Sequence, residues 1–443
     1  MKVLLVNPSY EYPVVKTKGI KRFGRIWPPL ELLNIASLLL QKGIEVDILD
    51  ANALKIENKK VVKIGKKYDK VFITSSPLDR WQCPFFDLRN FEEISKDLSE
   101  FTDVYLMGFY PSLNPKQFIE RTKAKGVIVG EPELSVLEIL EGKKNVEGVY
   151  SNGRFIPRKN FLDLNSLPIL PYEKLPLKMY KYELLGKNFF LFEASRGCPY
   201  NCFFCAKNVM YSNYRIKNAE NVIKDIDEAY KKHKIKNGYF IDLEFNTKLN
   251  EKNVEKISLY LKERKYDFKW ACQTRVDTVN YDILKKMKLG GCDLIHFGIE
   301  SGSARIMKIN GKGINKKQVE KAVKNCNKLG IRTVGFFMFG FYKEKLKDMI
   351  KTIEFAKKLK LTYASFHIAT PYPNTKFYEI VKDYINEKNP FVYEYEVSLE
   401  NIKKIISFAY KKFYLRPKSI KSLISSGDFL GKISLFLNFS QEE

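Results

Sequence analysis

Residues 193–208 read EASRGCPYNCFFCAKN, in which Cys198, Cys202 and Cys205 stand four and three positions apart, directly after the apolar run Asn188–Ala194. Three soft thiolates packed this closely form a metal cradle. Iron–sulfur clusters are held by such thiolates, and a complete 4Fe-4S site takes four of them. The loop supplies three, which leaves one iron open to a substrate or cofactor. A tetrahedral zinc site would need a further Cys or His at ligand spacing, and none is near.

From Asn188 onward the chain repeats strand then helix. Apolar runs at Asn188–Ala194, Gly238–Phe245, Phe268–Arg275, Leu294–Glu300, Thr333–Phe339 and Tyr363–Ala369 predict parallel strands. Helical spacing between them, as in Val319, Ala322, Val323 and Cys326 before Gly330, predicts the crossovers. The pattern is that of a partial (β/α)6 barrel, whose chemistry gathers at the carboxyl ends of the strands. The cysteine loop follows the first strand, as that rule requires. Strand alternation puts Gln273 and Arg275 on one face, His296 and Glu300 on one face, and Asp242 and Glu244 on one face. A charged Arg275 and Glu300 at strand ends are costly unless they meet each other or a ligand.

The CxxxCxxC arrangement resembles the signature of the radical S-adenosylmethionine (SAM) superfamily. The resemblance implies that Cys198, Cys202 and Cys205 hold a 4Fe-4S cluster, that the methionyl amine and carboxylate of SAM take the open iron, and that the sulfonium is cleaved reductively. It places SAM contacts at Tyr200, Phe204, Glu244, Gln273, Arg275, Glu300 and Ser301, and around GFFMFGFYKE. An internal Arg275–Glu300 salt bridge that braces the barrel is the competing role for that pair.

Residues 1 to about 150 alternate strand and helix, with apolar runs at Val3–Val6, Val46–Leu49, Val71–Thr74, Val104–Met107 and Val127–Val129. This predicts a doubly wound parallel sheet that binds its ligand at the strands' carboxyl ends. Those ends carry Asn7-Pro8-Ser9, Thr74-Ser75-Ser76-Pro77, Gly108 to Ser112 and Gly130-Glu131-Pro132-Glu133. Together with RIWPPLELLNIASLL and SPLDRWQCP, they look like the Rossmann-like cobalamin-binding domain that precedes the barrel in one class of radical SAM proteins. By that resemblance Pro8, Ser9, Pro28, Pro29, Ser75, Ser76, Trp81, Gly108, Tyr110, Gly130 and Glu131 line the cobalamin site. Tyr110 stands where many relatives have a histidine. The histidines are His233, His296 and His367, so nothing before residue 233 can offer cobalt an imidazole.

The domains expected are cobalamin-binding at 1–157, a linker at 158–187, the radical SAM barrel at 188–394 and a helical C-terminal extension at 395–443, with capping of the active site as the extension's default role. Asn152-Gly153 marks a hairpin near the end of the first domain. Cys272, Cys292 and Cys326 read as packing residues, while Cys83 either lines the cobalamin face or is buried.

The composition is globular, 45% apolar with 14% aromatic residues over 443 positions. No apolar run reaches the length of a bilayer span and no leader is evident, so a soluble cytoplasmic protein is expected. Seven cysteines with three in one motif argue for a reducing, anoxic compartment rather than a disulfide framework. Lys plus Arg exceed Asp plus Glu by 77 − 51 = 26. The lysines are dispersed, without a basic arm or a specific nucleic-acid signal.

The resemblance implies a cobalamin-dependent methyltransferase that acts on an unactivated carbon, the substrate being a protein or peptide side chain such as glutamine, a lipid or a small metabolite. It also implies an electron donor of flavodoxin or ferredoxin type. A non-methylating ring-forming or rearranging enzyme on the same fold is the alternative. A basic binding module with a structural cluster would explain the charge but not the open-site cysteines.

Overall fold

The computed structural model describes residues 1–10, 25–75, 87–386 and 389–415. Ser76, Trp81 and Cys83, and the part of the expected C-terminal extension beyond Leu415, lie outside them. The chain divides into two units, one containing residues 25–197 and 207–241 with the N-terminal strand, the other containing residues 198–206 and 242 onward.

In the first unit, strands β1 (Val3–Asn7), β2 (Val46–Asp50), β3 (Lys70–Thr74), β4 (Asp103–Met107) and β5 (Gly126–Ile128) are followed by the hairpin β6 (Val149–Ser151) and β7 (Arg154–Ile156). The sheet runs β2-β1-β3-β4-β5-β6-β7, parallel as far as β5 and antiparallel after it. The hairpin turns on Asn152 (φ 48°) and Gly153 (φ 73°), both left-handed as an Asn-Gly turn requires. All of β1 is buried, because helices cover both faces of such a sheet. Helix Leu30–Gln41 is likewise buried at every position from Leu30 to Leu39.

The strand order doubles back at β1, with β2 on one side and β3 on the other. In open α/β sheets a ligand crevice forms at such a switch, outside the carboxyl ends of the strands. Residues 158–187, expected as an aperiodic linker, hold three single 3-10 turns and bury Tyr172, Tyr180 and Tyr182 almost completely. Tyr180 donates to Asp50 Oδ2 at 2.7 Å, at the end of β2.

The second sheet has six strands in chain order: β8 (Phe189–Phe192), β9 (Asn237–Phe240), β10 (Lys269–Thr274), β11 (Cys292–Glu300), β12 (Arg332–Phe339) and β13 (Tyr363–Ile368). Five of these strands appear within two residues of their predicted bounds, whereas β9 ends at Phe240, five residues short of the expected Phe245, so Asp242 and Glu244 stand in the loop beyond it rather than on a strand face. The observed register sets Gln273 beside His296, Gly298 beside Phe336 and Met338 beside His367, so these side chains share one face. Between Gly298 and Glu300 the register shifts by one bulged residue.

Helix Leu399–Tyr414 starts on Ser398, whose side chain accepts from Asn401 N. It packs on β13, the last strand of the sheet. Tyr410 Oη accepts from Phe366 N at 3.0 Å, and Tyr414 Oη accepts from Ala364 N at 3.1 Å while donating to Ala364 O at 2.8 Å. No helix among the described residues is long and apolar enough to cross a membrane.

Candidate active site

The cysteine loop is entered through Gly197, whose φ of +77° and 2.5 Å approach of an added Cβ to Asn213 O exclude any other residue without rearrangement. Cys198, Cys202 and Cys205 are all half-buried. Cys205 N donates to Cys202 O at 3.1 Å, and Phe377 N donates to Phe203 O at 3.0 Å. Phe203 packs on Phe377 and Phe204 on Phe341, with ring centroids 5.2 and 5.6 Å apart. The two aromatics of CFFC therefore anchor the loop in an apolar cluster that includes Tyr393. Among the described residues, no three metal-ligating side chains are drawn together tightly enough for a single ion. A 4Fe-4S cluster asks for wider spacing, because each thiolate takes a different iron. The all-sulfur donor set fits it.

Cations meet the loop at its middle cysteine. Arg275 Nη1 lies 3.8 Å from Cys202 Sγ, and the guanidinium carbon sits 4.0 Å above the Tyr200 ring. Arg275 and Glu300 do not pair with each other, so the competing role, a bracing salt bridge between them, gives way to two separate ones. Arg275 grips Asp277 through Nε and Nη2, both at 2.8 Å. Glu300 takes Lys312 Nζ at 2.6 Å, and Nζ also donates to Gly298 O at 2.7 Å. The physical reason is the bulge before Glu300, which leaves it at φ 66° and turns its carboxylate toward the Gly311–Gly313 loop.

Glu244 is 2% exposed. Its Oε1 accepts from Thr274 Oγ1 (2.6 Å), Arg275 N (2.8 Å) and Thr278 Oγ1 (3.1 Å), and burial pushes its carboxyl up to about 7. Gln273 Nε2 donates to Leu243 O at 3.1 Å. The Ser301 hydroxyl is fully buried and meets Thr352 Oγ1 at 3.0 Å. Lys312, Asp277, Thr274 and Thr278 were not singled out from the sequence. The signal for Lys312 was its place between Gly311 and Gly313, both left-handed.

In GFFMFGFYKE, Glu344 Oε2 accepts from Gly340 N (2.7 Å) and Phe341 N (3.1 Å), whereas Oε1 is buried without a partner among the described residues. Burial pushes this carboxyl from its ordinary 4.5 up to about 8. Because the folded value is raised, the associated stability is full below about 4.5 and is lost as pH rises through about 8. Stability by chemical denaturation should therefore fall between about pH 4.5 and about pH 8, and Glu344→Gln should remove part of that fall. An unchanged pH dependence in the variant would refute this role.

In the first unit, the switch-point end of the sheet gathers most of the residues assigned to cobalamin. Gly108 (φ +102°) leaves space that a Cβ would close, since it would come within 2.5 Å of Ser75 Oγ. Among the described residues that hydroxyl is buried without a partner. Ser9 is half-buried and donates to Ala51 O at 3.0 Å, while Pro8, Pro28, Pro29 and Tyr110 are buried. An unpaired donor beside a glycine-lined approach fits a ligand with an amide rim.

Gly130 stands at the next strand end, its N–H donating to Ser112 Oγ at 3.0 Å, and the Glu131 side chain belongs to a buried ionic group. Arg196, 2% exposed, donates to Glu193 Oε1 (2.8 Å), Glu131 Oε2 (2.8 Å) and Glu133 Oε1 (2.7 Å), and Arg215 also pairs with Glu131. Burial works against the Glu131 charge, but Arg196 and Arg215 outweigh it and hold that carboxyl below the usual range. For Glu133 burial wins over Arg196 and pushes the carboxyl up. The Glu131 side chain is thus engaged by arginines.

The sequence profile of the Radical SAM superfamily matches residues 192–356, which contain all three loop cysteines. An uncharacterized methyltransferase of Pyrococcus horikoshii is 33% identical over 98% of this chain and 96% of its own length. These similarities define the class: the chain belongs to the radical SAM superfamily and is an enzyme with methyltransferase-like relatives. Its fold is shared with the cobalamin-dependent SAM radical enzyme OxsB (TM-score 0.74, 19% identity, 98% of this chain and 72% of that one). It is also shared with the radical SAM methyltransferase TsrM of Kitasatospora setae (TM-score 0.69, 16% identity, 86% of this chain and 74% of that one).

Proposed function

We propose that this protein is a cobalamin-dependent radical SAM methyltransferase that methylates an unactivated carbon, with a protein or peptide side chain such as glutamine as the candidate substrate. The observation that carries this reading is the set of three half-buried cysteines in one eight-residue stretch, with the Arg275 guanidinium against the middle one. Held there, a 4Fe-4S cluster would supply the electron for reductive cleavage of SAM, and cobalamin in the N-terminal sheet would supply the methyl group.

The chain's own tasks are binding, orientation and exclusion of water. Glu244 and Gln273 are placed to receive the polar groups of SAM, with Tyr200, Phe204, Arg275, Glu300 and Ser301 in or behind the same site. Pro8, Ser9, Pro28, Pro29, Ser75, Gly108 and Tyr110 are the proposed frame for the corrin, Gly130 and Glu131 stand at the next strand end, and Ser76 and Trp81 fall outside the described residues. An external donor of flavodoxin or ferredoxin type would deliver the electrons.

The test is anaerobic reconstitution of the full chain with cobalamin and SAM. The chain should retain the corrinoid through gel filtration and release 5′-deoxyadenosine. In the cob(II)alamin state, electron paramagnetic resonance should show no nitrogen coupling from a protein imidazole. The three histidines support that expectation: His233 stacks on Tyr172 at 4.8 Å, His367 Nε2 is bonded to Ser365 Oγ at 2.8 Å, and His296 lies within β11. Failure to retain any corrinoid, with SAM cleavage intact, would overturn the methyltransferase reading and favour a non-methylating radical enzyme.

A further inference from the structure

Arg275 directly follows β10, and its side chain is 6% exposed. Two of its nitrogens are committed to Asp277. Nη2 makes a further bond to Lys312 O at 2.7 Å. The face of the guanidinium rests on Tyr200, a residue of the cysteine loop itself. What remains is Nη1, and it is aimed at Cys202 Sγ, 3.8 Å away. A guanidinium with most of its fork already occupied is poorly suited to clamp the carboxylate of an incoming ligand bidentately. It is well suited to deliver one N–H, in a fixed direction, to one sulfur. A second cation lies close by, since the charge of Lys312 is felt at Cys202 even as it pairs with Glu300.

Hydrogen bonds and positive charge at a ligating sulfur stabilise the more electron-rich state of an iron–sulfur cluster, which raises its reduction potential. We propose that Arg275 is a positioning residue that tunes the potential of the cluster held by Cys198, Cys202 and Cys205, through its Nη1–H on Cys202 Sγ. The inference rests on the cluster proposed above. The step concerned is a one-electron reduction with no proton transferred, the electron coming from the donor protein or, in the test, from dithionite. Asp277 and Tyr200 hold the guanidinium in direction, so that the N–H stays on sulfur instead of turning to solvent.

The test is a potentiometric titration of the reconstituted full-length protein without SAM, followed by electron paramagnetic resonance of the reduced cluster. Arg275→Gln should lower the reduced-to-oxidised ratio at the wild-type midpoint by about tenfold, which for one electron is a shift of about 59 mV to more negative potential. Arg275→Lys, which keeps the charge but loses the planar fork, should fall between the two. An unmoved midpoint at equal iron content would overturn the proposal. A second measurement needs no variant: with 15N-labelled arginine in the wild-type chain, pulsed resonance of the reduced cluster should show a weak nitrogen coupling. If Arg275→Gln cannot hold the cluster, that coupling decides, its presence supporting the contact and its absence refuting it. Absence of any cluster from the wild-type chain would instead remove the proposed function itself, and this inference with it.

Discussion

Replacing Cys198, Cys202 and Cys205 together with alanine should reduce the iron and acid-labile sulfide of anaerobically purified protein from about four of each per chain to none. Iron and sulfide analysis of the two proteins, with circular dichroism as a control for folding, is the measurement. The fold should survive in large part, because the loop is tied to its surroundings through Phe203 and Phe204 rather than through the thiols. Full iron retention in the triple variant would mean that another ligand set holds the metal.

Arg196→Met should be the most destabilising single change in the first unit. Arg196 is the shared partner of Glu131, Glu133 and Glu193, all buried, and only Glu131 has Arg215 as a second cation. Removing one member of a buried ion group strands the others, at a cost of about 3–5 kcal/mol. Glu133→Gln should cost much less, since burial already favours the uncharged form of that side chain. The double variant Arg196→Met with Glu133→Gln should recover part of the loss. Chemical denaturation at neutral pH reads all three, and equal stability of wild type and Arg196→Met would show that the network contributes nothing net.

The sheets were legible because their apolar runs are continuous and each is followed by a helix of clear period. The face shared by Gln273 and His296 was legible for a related reason: alternation along a strand survives folding unless a bulge intervenes. A bulge does intervene at Glu300, and there the competing role, a salt bridge with Arg275, is not realised, since each has its own partner. Lys312 went unread because it lies in a loop, where its flanking glycines mark a turn but no periodicity assigns a side chain to a face. The Arg196 group was invisible for another reason. Its partners Glu131 and Glu133 lie 65 and 63 positions away, and no local pattern links an arginine before Gly197 to a strand end of the other sheet. The buried tyrosines of residues 158–187 escaped notice because single turns spaced by prolines carry no period at all.

An open six-stranded sheet ends in a strand whose outward amides and carbonyls invite another chain to add to it. On β13 that invitation is withdrawn by two phenols one helical turn apart, which take up the outward N–H groups of Ala364 and Phe366 and the Ala364 carbonyl. The helix Leu399–Tyr414 thus does for the barrel what a seventh strand would do, using side chains in place of a ladder. A chain trimmed ahead of Leu399 would retain every residue of the cysteine loop and of the SAM site, yet carry an unguarded border along which copies could stack.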